Sequence, residues 1–105
     1  MLPGNRRIPR KILETVVRLG RREDSTHFFL KFLAHDEARF AVSVSKKISK
    51  SAVVRNRVRR RTYSAIRELI SSAPKALFLV VAKPGAEKLK GEVLRMELAE
   101  LLLKR

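Results

Sequence analysis

The chain contains no cysteine, which excludes disulfides and thiolate metal sites and suits a reducing cytoplasm. No run of about 18 apolar residues occurs, so no transmembrane helix and no membrane partner is expected. The basic N-terminus lacks the apolar block that a secretory signal needs. Acidic residues are scarce, 10 Asp+Glu against 25 Lys+Arg, and the formal net charge is +15. There are only two histidines, His27 and His35, and neither sits in metal-ligand spacing. Glu87, Glu92, Glu97 and Glu100 fall among Lys and Arg near the C-terminus, as ordinary surface pairing would place them. Side-chain hydrolysis needs a poised acid, base or metal set. None is legible, so no catalytic residue, metal motif, cofactor motif or small-molecule substrate is expected.

What is present is one domain's worth of chain with an unusual field. At 105 residues and 45% apolar composition the protein can build a single core. A charge of +15 repels itself and weakens the compact state unless a polyanion accepts it. Surfaces built only for solubility mix both signs at much smaller net charge. The excess is uneven: seven Lys+Arg lie in residues 1–22, nine in 46–67, and residues 68–105 hold seven against five acids.

Along the chain, residues 1–7 read as a flexible basic tail and 8–105 as the domain. Pro9 followed by Ile12, Leu13, Val16 and Val17 at helical spacing predicts a helix stopping at Gly20. Gly20 to Thr26 reads as a loop. The aromatic stretch His27 to Leu33 reads as a strand, with Lys31 interrupting one face. Ala34 to Ala38 is short enough for a hairpin. Phe40, Val42 and Val44 then alternate as a half-buried strand, so an antiparallel pair is expected there. Ser51 is the candidate N-cap of a second helix that must end before Pro74. Ala76 to Ala82 is continuously apolar, as in a central strand covered on both faces. A last helix is expected from about Ala86, presenting Leu89, Val93, Leu94, Leu98, Leu101 and Leu102. This order implies an α+β sandwich of helices on a small sheet. There is no repeat and no low-complexity linker.

Residues 46–67, KKISKSAVVRNRVRRRTYSAIR, contain no Asp or Glu and hold the functional signal. Wound at about 100° per residue, Val54, Val58, Thr62, Ala65, Ile66 and Leu69 gather on one arc, while Asn56, Arg57, Arg59, Arg60, Arg61 and Arg67 cover the rest. Arg55 lies at the edge of the apolar arc, as either an RNA contact or a half-buried structural residue. Asn56 could hold a 2′-hydroxyl or a base edge, or only a local hydrogen bond. Lys46 and Lys47 could meet phosphates or hydrated metal ions, or simply solvate a strand end. Guanidinium groups donate paired hydrogen bonds to phosphate and stay charged. On a structured RNA, with its deep and narrow major groove, such a helix reads backbone and shape more than sequence.

The words SVSKKI (Ser43 to Ile48) and AVVRNRVRRR (Ala52 to Arg61) resemble the signature of the bacterial ribonuclease P protein subunit. The resemblance runs from about Arg7 to the C-terminus. It implies an αβββαβα sandwich with a four-stranded sheet, similar to the second domain of a small-subunit ribosomal protein. It also implies a left-handed crossover at the Arg-rich helix, where pattern alone favours a right-handed one. The implied function is binding of the catalytic RNA subunit and precursor tRNA during removal of the 5′ leader, in the cytoplasm, with the RNA subunit cutting with Mg²⁺. Arg55, Asn56, Arg57, Arg59 and Arg60 match the family's RNA-contacting motif. A family cleft between the first helix and the sheet holds the leader. Its positions fall here on Leu13, Val17 and Lys31, with Phe28, Phe32 and Phe40 as stacking surfaces from the sheet or as core. Ser49-Lys50-Ser51 departs from the family, being one residue longer than its turn and lacking its Gly. An rRNA-binding ribosomal or assembly protein is the alternative on the same fold and charge.

Overall fold

The computed structural model describes residues 4–103. Helix α1 (Arg10–Leu19) starts behind Pro9 and buries Val16, with Ile12 and Leu13 beside it. It ends at Gly20, where a Cβ would lie 2.4 Å from the Val16 carbonyl and 3.2 Å from that of Phe32. Only a residue without a side chain lets the helix end press so closely on the sheet. Strands β1 (Arg21–Asp24), β2 (Phe28–Ala34) and β3 (Arg39–Ser43) follow, then α2 (Ala52–Leu69), β4 (Ala76–Ala82) and α3 (Gly91–Leu102).

The sheet order is β1-β2-β4-β3; β2 is antiparallel to β1 and β4, and β3 is parallel to β4. The expected β2–β3 hairpin is therefore wrong, because β4 inserts between the two strands. Phe32, Phe78 and Phe40 stand in one row across β2, β4 and β3. A hairpin would have left the most apolar strand at an edge, its ladder half unpaired. The second correction is β1: the charged stretch expected as a loop pairs with β2 from Arg21↔Phe32 to Asp24↔Phe29.

The sheet has two cores. On one face Phe28, Leu30, Phe40, Val42, Phe78 and Val80 pack under α2 and α3. Phe40 and Phe78 stack at 5.2 Å between ring centres. On the other, Leu77, Leu79 and Ala41 pack under Ile8 and α1. Strand β4 is thus covered on both sides, as its unbroken apolar run requires. The free edge of β3 is also covered: Ile8 N–H donates to the Phe40 carbonyl at 3.0 Å, and Val42 N–H donates to the buried Tyr63 hydroxyl at 3.2 Å. Arg7 pairs with Phe40 and Arg6 Nη1 donates to the Ala38 carbonyl, so this part of the supposed tail is built into the fold. Residues 1–3 lie outside the described residues.

The last helix begins later than expected. Gly85, at φ +103°, turns the chain after Pro84 into a 3₁₀ turn (Ala86–Lys88), and α3 starts at Gly91. Leu94, Leu98, Leu101 and Leu102 are buried as expected, whereas Val93 is 63% exposed.

Candidate nucleic-acid interface

Ser51 caps α2, its hydroxyl accepting from Val54 N–H at 3.3 Å. The buried face is Val58, Thr62, Tyr63, Ala65, Ile66 and Leu69. Tyr63, absent from the expected arc, joins it through its bond to β3. The loop before the helix does without the glycine that the resemblance implies, for a visible reason. Ser45 and Ser49 hydroxyls accept from Lys47 N–H and Ser51 N–H at 3.3 and 3.1 Å. No non-glycine residue among those described has positive φ. A turn built from serine side chains at ordinary dihedrals needs no glycine.

The arginines divide by what they touch. Arg55 Nη1 donates to the carbonyls of Ser49 and Lys50 at 2.9 and 3.0 Å, tying the basic loop to the helix. Arg61 Nη2 donates to the Glu87 carbonyl at 2.8 Å and staples α2 to the 3₁₀ turn. Arg59 donates to Asn56 Oδ1 at 2.7 Å, the local bond open as an alternative for Asn56, whose amide N–H groups remain available. Arg57 and Arg60 are exposed and engage no acceptor among the described residues, and Lys46 and Lys47 stand exposed on the adjoining turn. Arg67 is exposed near the helix end.

Strand parity places the rest. Leu13 and Val17 lie on α1, and Lys31 Nζ donates to the Val17 carbonyl at 2.8 Å, satisfying one of the open acceptors at the end of that helix. These three residues come together. Phe28 and Phe40 do not join them: both are 0% exposed on the opposite face, under α2 and α3, and Phe32 packs against that same core. They fill the core and offer no stacking surface on the α1 side.

The aromatic that β2 places on the α1 side is Phe29, half-buried there and not among the residues expected to line the cleft. Lys31 marks the wet face of β2, and period-two alternation puts Phe29 on that face with it. Phe29 and Val81, paired across β2 and β4, contribute to a groove of about 450 Å³ also lined by Arg22, Ser45, Lys47 and Lys83. Arg22 lies over the Phe29 ring with Cζ 3.9 Å from its centre. Its Nε and Nη2 donate to Asp24 at 2.9 and 3.1 Å, and Lys83 Nζ lies 2.8 Å from the same carboxylate. These bonds, from Arg22 first and Lys83 second, hold Asp24 well below the usual carboxylate range.

Among the described residues no three His, Asp or Glu are grouped so that they could hold a metal ion. Glu97 is nonetheless more than a surface partner. Its Oε2 accepts from Ser25 Oγ at 2.5 Å and His27 N–H at 2.7 Å, and its Oε1 lies 2.8 Å from His27 Nδ1. This locks the β1–β2 turn to α3. Burial pushes the Glu97 carboxyl up, but bonds from Ser25 and His27 outweigh it and leave it below its ordinary value. A lowered carboxyl stabilises the fold above the unfolded-state value, near 4.5, and that stability is lost as pH falls through the lower folded-state value. Glu97→Gln should cost about 2 kcal/mol at neutral pH and flatten the acid limb of stability. Urea midpoints measured from neutral to acid pH check this; parallel curves for both proteins would refute it.

The Ribonuclease P family model matches residues 6–105. The chain is 36% identical over 102 residues to the ribonuclease P protein component of Microcystis aeruginosa, covering 90% of this chain and 85% of that one. It is 32% identical to the component from a Nostoc species, covering 94% and 89%. Its fold is similar to the RNase P protein from Thermotoga maritima, with a TM-score of 0.84 at 20% identity over 94% and 96% of the two chains. It is also similar to the Staphylococcus aureus RNase P protein, at 0.81 and 23% over 94% and 93%. With the αβββαβα order, the basic helix and these matches in agreement, the chain belongs to the ribonuclease P protein family, the protein component of a tRNA-processing ribonucleoprotein.

Proposed function

We propose that this protein binds the catalytic RNA of ribonuclease P through the outer face of α2 and the turn before it, and holds the 5′ leader of precursor tRNA in the groove beside Phe29. The observation that carries the reading is the pair Arg57 and Arg60, exposed and engaging no acceptor among the described residues, on a 22-residue stretch without one carboxylate. Two such exposed guanidinium groups are costly in a chain of net charge +15 until a polyanion neutralises them. Asn56, Arg59 and Arg67 flank these residues, and Arg55 and Arg61 shape the surface from behind.

Arg55 secures the Ser49–Ser51 loop, which leads from Lys46 and Lys47 to the helix. Lys47 borders the groove as well, so the RNA-binding face and the leader site are continuous. Cleavage belongs to the RNA subunit with Mg²⁺. The donor set of this chain does not suit a resident metal, since its carboxylates are dispersed or paired with Arg, Lys and His. The protein contributes substrate binding, charge neutralisation and support of the active RNA shape, in the cytoplasm.

Reconstitution tests this directly. The purified chain with a ribonuclease P RNA and a precursor tRNA should restore leader removal at Mg²⁺ too low for the RNA alone. The chain by itself should cut nothing. Co-purification with ribosomal RNA and no stimulation of cleavage would instead identify an rRNA-binding protein.

A further inference from the structure

The groove's aromatic floor is not bare. The Arg22 guanidinium lies 3.9 Å from the centre of the Phe29 ring, which is van der Waals contact, so no base can slide between them. The outer face of Arg22 is open, its side chain 51% exposed. Two of its nitrogens are engaged by Asp24, and Nη1 meets no acceptor among the described residues. Asp24 is itself fixed from its other side by Lys83, which also donates to the Ser25 carbonyl at 2.8 Å. An isolated exposed ion pair would hold its geometry poorly. Here a carboxylate shared by two cations, with an aromatic ring beneath, constrains the guanidinium plane.

We propose that Arg22 is a specificity-determining residue for the unpaired RNA segment. Phe29 and Arg22 form a two-tier platform, one leader base stacks on the outer face of the guanidinium, and its Nη1 meets a neighbouring phosphate. Guanidinium planes stack on π-faces and donate to phosphate at the same time. The occupant fits the charge of the site, since Lys47 and Lys83 border the same groove. Asp24 is the positioning residue: it adds no attraction for RNA but sets the orientation of Arg22. This proposal rests on the reading of the groove as the leader site.

The test uses the reconstituted holoenzyme, with precursor tRNAs carrying the fluorescent base 2-aminopurine at successive leader positions and a leaderless tRNA as control. With the wild-type protein, one leader position should be quenched and the leader should raise affinity. Arg22→Ala should weaken binding of leader-bearing tRNA by about tenfold, abolish that quench and leave leaderless tRNA unaffected. Arg22→Lys should retain the salt dependence without the quench.

Asp24→Asn separates positioning from charge. It makes the groove more positive, so a purely electrostatic role for Arg22 predicts tighter binding and an undisturbed quench. The platform predicts a weakened quench and no gain in affinity. Equal affinity of Arg22→Ala and wild type for a leader-bearing substrate would overturn the proposal. Tighter binding by Arg22→Ala would also overturn it and make bare Phe29 the platform. A wild-type holoenzyme indifferent to the leader would instead overturn the parent reading of the groove.

Discussion

Replacing Arg57 and Arg60 together by glutamate should lower affinity for the ribonuclease P RNA by on the order of 100-fold at low salt. The folded protein should be unchanged. Both side chains are exposed and engage no acceptor among the described residues, so their loss costs none of the hydrogen bonds described there. A charge-assisted phosphate bond is worth about 1.5 kcal/mol or more, and each 1.4 kcal/mol is tenfold in affinity. Reversing the charges adds repulsion to the two lost bonds. The slope of log affinity against log salt should flatten by about two units, one per contact, so the deficit narrows as salt rises. Filter binding across a salt series, with circular dichroism as the folding control, measures both quantities. Unchanged affinity in the folded double variant would remove this helix from the interface. The matched variant Arg55→Ala should behave differently, because Arg55 holds the Ser49 and Lys50 carbonyls and its loss loosens the loop.

Phe78→Ala should cost about 3–5 kcal/mol, the range for emptying a buried aromatic site. Phe78 is fully buried at the middle of β4, with Phe40 stacked on one side and Phe32 6.5 Å away on the other. Domains of this size are stable by about 5–15 kcal/mol, and self-repulsion at +15 pushes this one toward the lower end. The variant should therefore be largely unfolded at low ionic strength. Sulfate or the cognate RNA should refold it, by screening the charge and by binding only the native state. Far-ultraviolet dichroism with and without sulfate reads the outcome directly. A cooperative transition at the wild-type urea midpoint would contradict the place of Phe78 at the centre of the core.

Much of the geometry of the candidate surface could be read from the chain, for a local reason. A helix imposes its own geometry, so Val58, Thr62, Ala65, Ile66 and Leu69 announce a buried stripe without reference to anything else in the fold. Ser51 as N-cap follows equally from adjacent residues. The fates of the individual arginines did not follow. Arg57 and Arg61 are both outside the apolar arc, yet Arg57 is exposed while Arg61 bonds to the Glu87 carbonyl, 26 residues away. Any residue can present that backbone acceptor, so its identity leaves no trace in sequence. Glu97 went unread for a similar reason: its partners Ser25 and His27 are brought to it only when α3 docks on the β1–β2 turn.

Strand pairing marks the boundary most clearly. The apolar run of β4 was enough to require cover on both faces, because neither side of that strand tolerates water. It did not say which neighbours would supply the cover, and a short connection made the β2–β3 hairpin look natural. Strand β1, with the sequence RRED, has no apolar alternation at all and exists because the edge of β2 offers it hydrogen bonds. Chain chemistry alone determined a basic helix with one apolar stripe, a doubly buried strand and an excess of cations seeking a polyanion. Tertiary structure decided the order β1-β2-β4-β3, and with it which phenylalanines are core and which one floors the groove. Sheet order is set by contacts between residues far apart in the chain, and no local pattern encodes them.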